Sequence, residues 1–271
     1  MDKNISYRSA EVLRILNEKN QLFFNTSDIV KILGGIKNQN IRRLLSDMTK
    51  RRLIMRIKGG LYTIIPYDKS FDYFPNWHIV AEKLTYPEEY YIGFYSALDI
   101  HGLITQPSLT EYIISNKQFT PKRQIINNVK FEFIKYNKNH FFGFEKKWIS
   151  NYEKVFCSDL EKTIIDCLYK PQYASGVVEI VKAIDRSRKE ININKMLDYL
   201  ERFNADVVLK RLGFIMENFA EFDFIISSIE NKISRSLSYL DPGYPKKGKY
   251  NNRWKIIDNV GIDEALNSLI T

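Results

Sequence analysis

Between residues 37 and 51 the chain lines up Lys37, Asn38, Gln39, Asn40, Arg42, Arg43, Ser46, Lys50 and Arg51. These are side chains whose donors and acceptors match the edges of bases and the oxygens of phosphates. Arginine pairs bidentately with guanine, asparagine or glutamine with adenine, and lysine with the sugar-phosphate backbone. At about 100° per residue, Ile41, Leu44, Leu45 and Met48 share one arc of a helical wheel, and Gln39, Arg43, Ser46 and Lys50 cluster opposite. Asn40 and Arg42 flank that polar face. The spacing therefore predicts a helix that packs on one side and reads DNA on the other, with Lys37 to Arg43 entering a major groove first.

A second set of residues points to different chemistry. Asp159, Glu161 and Lys162 combine closely spaced acids with a lysine, the kind of group that holds magnesium and positions water in nucleases. In such enzymes the lysine and its acid come from a strand. Here the pattern Ser158-Asp159-Leu160-Glu161 opens a helix, where acids stabilise the positive end of the dipole. Capping is the simpler role, and no catalytic residue is assigned. The three histidines, His78, His101 and His140, have no metal-ligand spacing. His101 stands beside Gly102, where closing a helix end accounts for it better than proton donation. Cys157 and Cys167 lack a CxxC partner for zinc and are read as reduced and structural. Gly34-Gly35 and Gly59-Gly60 sit where turns are needed, so the chain shows no phosphate-binding glycine loop, and no metal or other cofactor is expected.

A reading helix needs a scaffold, and the residues around it supply one. Val12, Leu13, Ile15 and Leu16 repeat at helical spacing before a break at Asn17 to Asn20. A second short helix opens at Asn25-Thr26-Ser27, side chains suited to capping orphan amides, and stops at Gly34-Gly35. Ser27, at its start, joins the set of expected DNA contacts. After the third helix, Leu53 to Lys58 and Leu61 to Pro66 alternate around Gly59-Gly60, the signature of a hairpin whose turn requires positive φ. Arg56 and Lys58 fall on one face near its tip, placed for phosphate or the minor groove. Helix, helix, basic third helix and glycine-tipped hairpin, in that order, predict a winged helix-turn-helix over residues 1–66.

Charge is distributed to match. Of the 271 residues, the first 66 carry 13 Lys/Arg against five Asp/Glu, whereas the other 205 carry 28 against 27. A field concentrated at one end attracts a polyanion to that end, and phosphate neutralisation with counterion release is the generic source of DNA affinity. A hydrophobic content of 44%, with 14% aromatics, supports a buried core and excludes wholesale disorder. No apolar run approaches the roughly 18 residues of a membrane span, and the first residues lack a secretory signal, so the expectation is a cytoplasmic protein without a membrane partner.

Residues 67–76 (YDKSFDYFPN) read as an aromatic, turn-rich linker, and 77–271 as a larger mixed α/β domain, giving an α+β protein overall. Within that domain, Trp77 to Leu84 and Tyr90 to Ile100 are predicted helices. Glu111 to Ser115, Val129 to Tyr136 and Lys154 to Phe156 are predicted strands. Helices follow from Ser158 to Tyr169, ended by Pro171, and at Gly176 to Arg188, Asn194 to Phe203 and Ala205 to Phe219. The basic, turn-rich tail from Tyr239 to Lys255 is expected on the surface.

In order and spacing, Gly60-Leu61-Tyr62, Ser96-Ala97-Leu98, His101-Gly102-Leu103, Phe141-Phe142-Gly143, Asp159 to Leu168 (DLEKTIIDCL) and Arg211 to Phe214 resemble the AbiEi-type antitoxins. The match spans about residue 10 to residue 220, carried by the series and by no single motif. The resemblance implies a repressor that binds double-stranded DNA at its own promoter, at inverted repeats. It also implies a C-terminal domain that counters a toxin of the nucleotidyltransferase fold, often in phage defence. Carried over, His101, Asp159, Glu161, Lys162 and Asp166 become candidates for that C-terminal activity. Two other readings stand beside it: a nuclease-like enzyme targeted by a winged helix, and a transcription factor that responds to a small ligand.

Overall fold

Ser6 begins the first helix by accepting the amide of Ser9 on its hydroxyl, 3.3 Å away, which satisfies one of the donors that a helix start leaves open. That helix, α1, runs Tyr7–Glu18. The computed structural model describes residues 5–69, 73–263 and 266. Next come β1 (Phe23–Asn25), α2 (Thr26–Leu33), α3 (Asn38–Lys50), β2 (Ile54–Lys58) and β3 (Leu61–Ile64). Asp28 reaches back to accept the Asn25 amide at 2.7 Å, fixing the start of α2. Gly34 and Gly35, at φ +40° and +68°, end it in a conformation that a side chain would oppose. The three strands form an antiparallel sheet in the order β1-β3-β2. Its core joins Val12 and Leu16 of α1, Ile29 of α2 and Ile41, Leu45 and Met48 of α3 to Phe24, Ile54 and Ile64 of the strands.

The chain divides into two compact units, Met1–Leu84 and Thr85–Thr271. The helix α4 (Trp77–Thr85) therefore clusters almost wholly with the first unit, and residues 70–72 of the linker expected at 67–76 lie outside the described residues. A hydrogen bond from Lys58 Nζ to the Leu84 carbonyl, 2.9 Å, ties the end of α4 to the hairpin of that unit.

The second unit is built on a mixed six-stranded sheet in the order β6-β7-β5-β4-β9-β8. Its strands are β4 (Tyr91–Ile92), β5 (Thr110–Ser115), β6 (Arg123–Ile126), β7 (Val129–Lys135), β8 (Phe144–Trp148) and β9 (Lys154–Ser158). β5 pairs β7 in parallel, with Ile113 opposite Phe133, and β8 pairs β9 antiparallel, with Trp148 opposite Lys154. The helices are α5 (Phe94–Ile100), α6 (Leu160–Tyr169), α7 (Val177–Ser187), α8 (Ile193–Phe203), α9 (Asp206–Met216) and α10 (Asp223–Glu230). α6 is buried from Glu161 to Leu168, so this helix is enclosed on every side and its polar residues must find partners inside the protein. The chain ends in a small sheet of β10 (Ser238–Tyr239), β12 (Ile256–Asp258) and β11 (Lys249–Asn251), in that order.

The architecture is α+β, as expected. Tyr91–Ile92, read as the start of a helix, is instead a strand, and the helix begins at Phe94. The tail is less superficial than its composition suggests, because Leu240, Trp254 and Ile256 are fully buried. Trp254 lies against Gly213 of α9 so closely that an added Cβ there would sit 2.1 Å from the indole ring. Among the described residues, no helix is long and apolar enough to cross a membrane.

Candidate nucleic-acid interface and the buried polar cluster

α3 presents its two faces as its sequence pattern requires. Ile41, Leu45 and Met48 are buried, and Asn38, Gln39, Asn40, Arg42, Arg43, Ser46 and Lys50 are exposed, as is Lys37 just before the helix. Lys37, Arg42, Arg43, Lys50 and, on β2, Arg56 make no ion pair or side-chain hydrogen bond among the described residues. Their charges are therefore available to a ligand. A hollow of about 310 Å³ lies beside the helix, lined by Arg8, Leu33, Ile36, Asn40, Arg43 and Asp47 among others. Ser27 and Arg51 are also exposed, and Arg51 has a partner within the protein.

Lys58 departs from this pattern. The pairing of β2 with β3 shifts register between Arg56 and Lys58, so the two do not share one exposed face as strict alternation would have it. Arg56 stays exposed, but Lys58 is half-buried and its ammonium is spent on the Leu84 carbonyl. Burial lowers its pKa. Of the two hairpin cations singled out from sequence, Arg56 has no partner among the described residues and Lys58 serves the packing of α4.

In the second unit, the residues singled out in DLEKTIIDCL come together around α6, each with partners inside the protein. Asp159 caps the helix by accepting the Lys162 amide at 3.0 Å. Its other oxygen accepts the Tyr199 hydroxyl at 2.8 Å and faces the Lys195 ammonium at 3.2 Å. Glu161 accepts the Asn192 amide at 2.8 Å and pairs with the same ammonium at 2.9 Å. Lys195 thus ties both acids to α8. Burial alone would raise the Glu161 carboxyl, but the Asn192 amide and the Lys195 ammonium together hold it below its usual value of 4.5.

A pH-dependent prediction follows. A carboxylate whose folded pKa is depressed contributes stability that is fully present above its unfolded pKa and is lost as the pH falls through the folded one. Glu161→Gln is expected to destabilise by about 1.5–3 kcal/mol near neutrality, the range for hydrogen bonds to a charged group. Urea melts of both proteins should show the gap closing as the pH drops below about 4.5. A gap independent of pH would show that the charge of Glu161 contributes nothing.

Deeper in the core, Lys162 donates to the Tyr91 hydroxyl at 2.9 Å and to Asp166, which also accepts the Tyr91 hydroxyl at 3.0 Å. The ammonium lies 5.1–5.3 Å from the ring centres of Tyr91, Tyr136, Phe142 and Phe203, an aromatic cage around a paired charge. The Tyr136 hydroxyl is close enough to Asp166 for its pKa to be raised, by burial first and by the carboxylate second, yet it has no hydrogen bond of ordinary geometry.

His101 closes α5, as its place beside Gly102 suggests. Its Nε2 contacts the Ser158 carbonyl at 2.8 Å and its Nδ1 contacts Lys147 Nζ at 3.2 Å. A carbonyl can only accept and an ammonium can only donate, so the proton sits on Nε2 and the ring is neutral. Burial lowers its pKa first, against the pull of the Ser158 carbonyl, and Lys147 lowers it further.

The site residues that sequence alone does not single out are Tyr91, Lys147, Lys195 and Tyr199, which reach α6 and His101 from β4, β8 and α8. Only the topology brings them there. Among the described residues, no group of three or more His, Cys, Asp or Glu side chains is arranged to hold a metal ion.

No protein-family model matches the chain, and no curated protein sequence matches it. Among solved structures it is similar to the crystal structure of the Rv2827c protein from Mycobacterium tuberculosis. The two superpose over 100% of this chain and 97% of that one, with a TM-score of 0.72 at 11% identity. At that identity the likeness establishes the fold alone.

Proposed function

We propose that the first unit is a winged helix-turn-helix and that the protein is a transcriptional repressor acting on double-stranded DNA through it. One observation carries this reading: the polar face of α3, with Gln39, Asn40, Arg42, Arg43 and Lys50, is exposed and its cations have no partner among the described residues. Desolvating a cation is costly unless something pairs with it, and here a phosphate or guanine would be the pairing group. The surroundings support the assignment. α2, a four-residue turn through Gly34 to Lys37, and α3 make the helix-turn-helix, and β2 and β3 make a wing with Arg56 on its outer face. α3 enters the major groove N-terminus first, so Lys37, Asn38, Gln39, Asn40, Arg42 and Arg43 meet base edges and near phosphates, while Ser46 and Lys50 lie along the backbone.

The resemblance to AbiEi-type antitoxins extends the proposal to an operon in which this repressor regulates its own promoter. There its second unit counters a nucleotidyltransferase-fold toxin. Asp159, Glu161, Lys162, Asp166 and His101 then maintain the shape of that unit and do no chemistry, since each is engaged by neighbours in the fold.

The test is a titration of the chain on the upstream region of its own gene. Arg43→Ala is expected to cost about 1–3 kcal/mol of binding and to relax specificity at one base pair, as loss of a bidentate base contact would. Unchanged affinity would remove Arg43 from the interface. Co-expression with the neighbouring reading frame tests the antitoxin half, and growth arrest that this protein does not relieve would exclude it.

A further inference from the structure

The hollow beside α3 gathers charges that contacts with DNA leave unanswered. Asn40, Arg43, Leu44 and Asp47 line it, and their spacing of i, i+3, i+4 and i+7 makes them one stripe along the helix. Arg8, in the first turn of α1, joins the lining, as do Leu33 at the end of α2 and Ile36 in the turn that follows. Leu33, Ile36 and Leu44 are half-buried against the core of the first unit, which gives the hollow an apolar part. Arg8, Arg43 and Asp47 are exposed and make no ion pair or side-chain hydrogen bond among the described residues.

These groups define a small ligand by its charges. The volume of about 310 Å³ is at the lower end of the roughly 300–1,000 Å³ that ligand pockets occupy. Two guanidiniums call for a carboxylate, which the planar fork of arginine binds through two parallel hydrogen bonds. Asp47 calls for a cation in the same space. A phosphate would answer the arginines but be repelled by Asp47, whereas a zwitterion answers all three. Arg43 and Asp47 stand one helical turn apart, with about 5–6 Å between Cβ atoms, so the two charges of the ligand must lie close together. An α-amino acid carries its carboxylate and its ammonium on one carbon, and an apolar side chain on that carbon would cover Leu33, Ile36 and Leu44. Arg43 and Asp47 are also spaced to pair with each other, but exposed i,i+4 pairs are weak, so the ligand displaces little.

We propose that the hollow between α1 and α3 binds an apolar α-amino acid, with its carboxylate on Arg8 and Arg43 and its ammonium on Asp47, and that this ligand competes with DNA. The competition rests on the reading that α3 enters a groove, since a guanidinium engaged by the carboxylate is lost to a guanine. The amino acid then acts as an inducer that releases the repressor, and by linkage the duplex weakens the amino acid by the same factor. Binding of the amino acid itself does not depend on that reading.

The experiment is calorimetry of the full chain, without DNA, against leucine, isoleucine, valine, methionine and phenylalanine. Glycine lacks the apolar side chain, isocaproate lacks the ammonium and isoamylamine lacks the carboxylate of leucine, so each should bind at least about tenfold more weakly than leucine. Asp47→Asn and Arg8→Gln, both at exposed positions outside the proposed DNA contacts, are each expected to weaken leucine about tenfold, the low end for a charge-assisted hydrogen bond. On the gene's upstream duplex, leucine at ten times its Kd should raise the apparent Kd of the wild-type chain about tenfold, and that of Asp47→Asn only about twofold. No binding of any of the five amino acids at about 10 mM overturns the site, as does leucine binding that both variants retain in full. Leucine that binds as expected but leaves the duplex affinity unchanged overturns the competition. Failure of the winged-helix reading looks different: the wild-type chain would bind no duplex, and the calorimetry would still decide the site.

Discussion

Replacing Lys162 by methionine is expected to lower the unfolding free energy by about 3–5 kcal/mol, the range for removing one partner of a buried ion pair. Lys162 and Asp166 are both fully buried, so the carboxylate left behind cannot be rehydrated without opening the core. Two features make a large effect credible here. The cage of four aromatic rings contributes to the pair only while the ammonium is present, and the Tyr91 hydroxyl bonds both members, so the network loses more than one contact. Against a typical total of about 5–15 kcal/mol, the variant would be marginal at physiological temperature. Burial pushes the Asp166 carboxyl up, and loss of Lys162 removes the main opposing influence. A raised folded pKa means stability present below the unfolded value and lost as the pH rises through the folded one. The deficit of Lys162→Met should therefore be smaller in mild acid than above neutrality. Urea melts at constant m value provide the measurement. A cost below about 1 kcal/mol, or one that grows toward acid, would show that the pair is not charged in the native protein.

That expectation bears on what the sequence reveals of the second unit. DLEKTIIDCL has the look of a catalytic motif because two acids and a lysine stand close together, and a helix with one solvated face would have shown them to water. α6 has no such face. Its lysine and acids are inside because partners from β4 and α8 meet them there, and neither Tyr91 nor Lys195 can be associated with Asp166 or Glu161 by spacing along the chain. The capping role of Asp159, by contrast, is local and legible. In the first unit nearly everything that matters is local: the 3.6-residue period of α3 separates its faces, and Gly59-Gly60 marks the hairpin. What escaped there are short-range irregularities. β1 has only three residues between two helices, too few to register as alternation, and the register shift beside Ile57 moves Lys58 off the exposed face. Tyr91–Ile92 reads as helix because apolar residues stand on both sides of Gly93, which is in fact the cap that starts α5, and only its pairing with β5 and β9 makes it a strand. The tail shows the opposite failure, since its glycines, prolines and lysines mask the three apolar residues that bury it.

The tail also depends on Arg211, and Arg211→Met is expected to destabilise the second unit by about 3 kcal/mol or more. The guanidinium is buried and donates to backbone carbonyls from separate elements: Leu168 at 2.6 Å and Tyr169 at 3.4 Å at the end of α6, and Tyr239 at 3.0 Å on β10. Burial pushes its pKa down to about 10, opposed by Asp241, so it remains charged at neutral pH, and the negative end of the α6 dipole favours a cation at this position. Methionine fills much of the same volume but leaves these acceptors unsatisfied, at about 1–3 kcal/mol for each that stays buried. Lysine cannot substitute, because one ammonium lacks the planar fork that spans α6 and β10 together; Arg211→Lys should recover less than half of the loss. Hydrogen exchange gives a finer readout than a melt, because β10 leads directly into the loop bearing Lys246, Lys247 and Lys249. If Arg211 is the strut between α6 and that sheet, amides of residues 238–259 should lose protection in Arg211→Met by more than those of β5 and β7. Uniform loss across the unit would make Arg211 a contributor to global stability only.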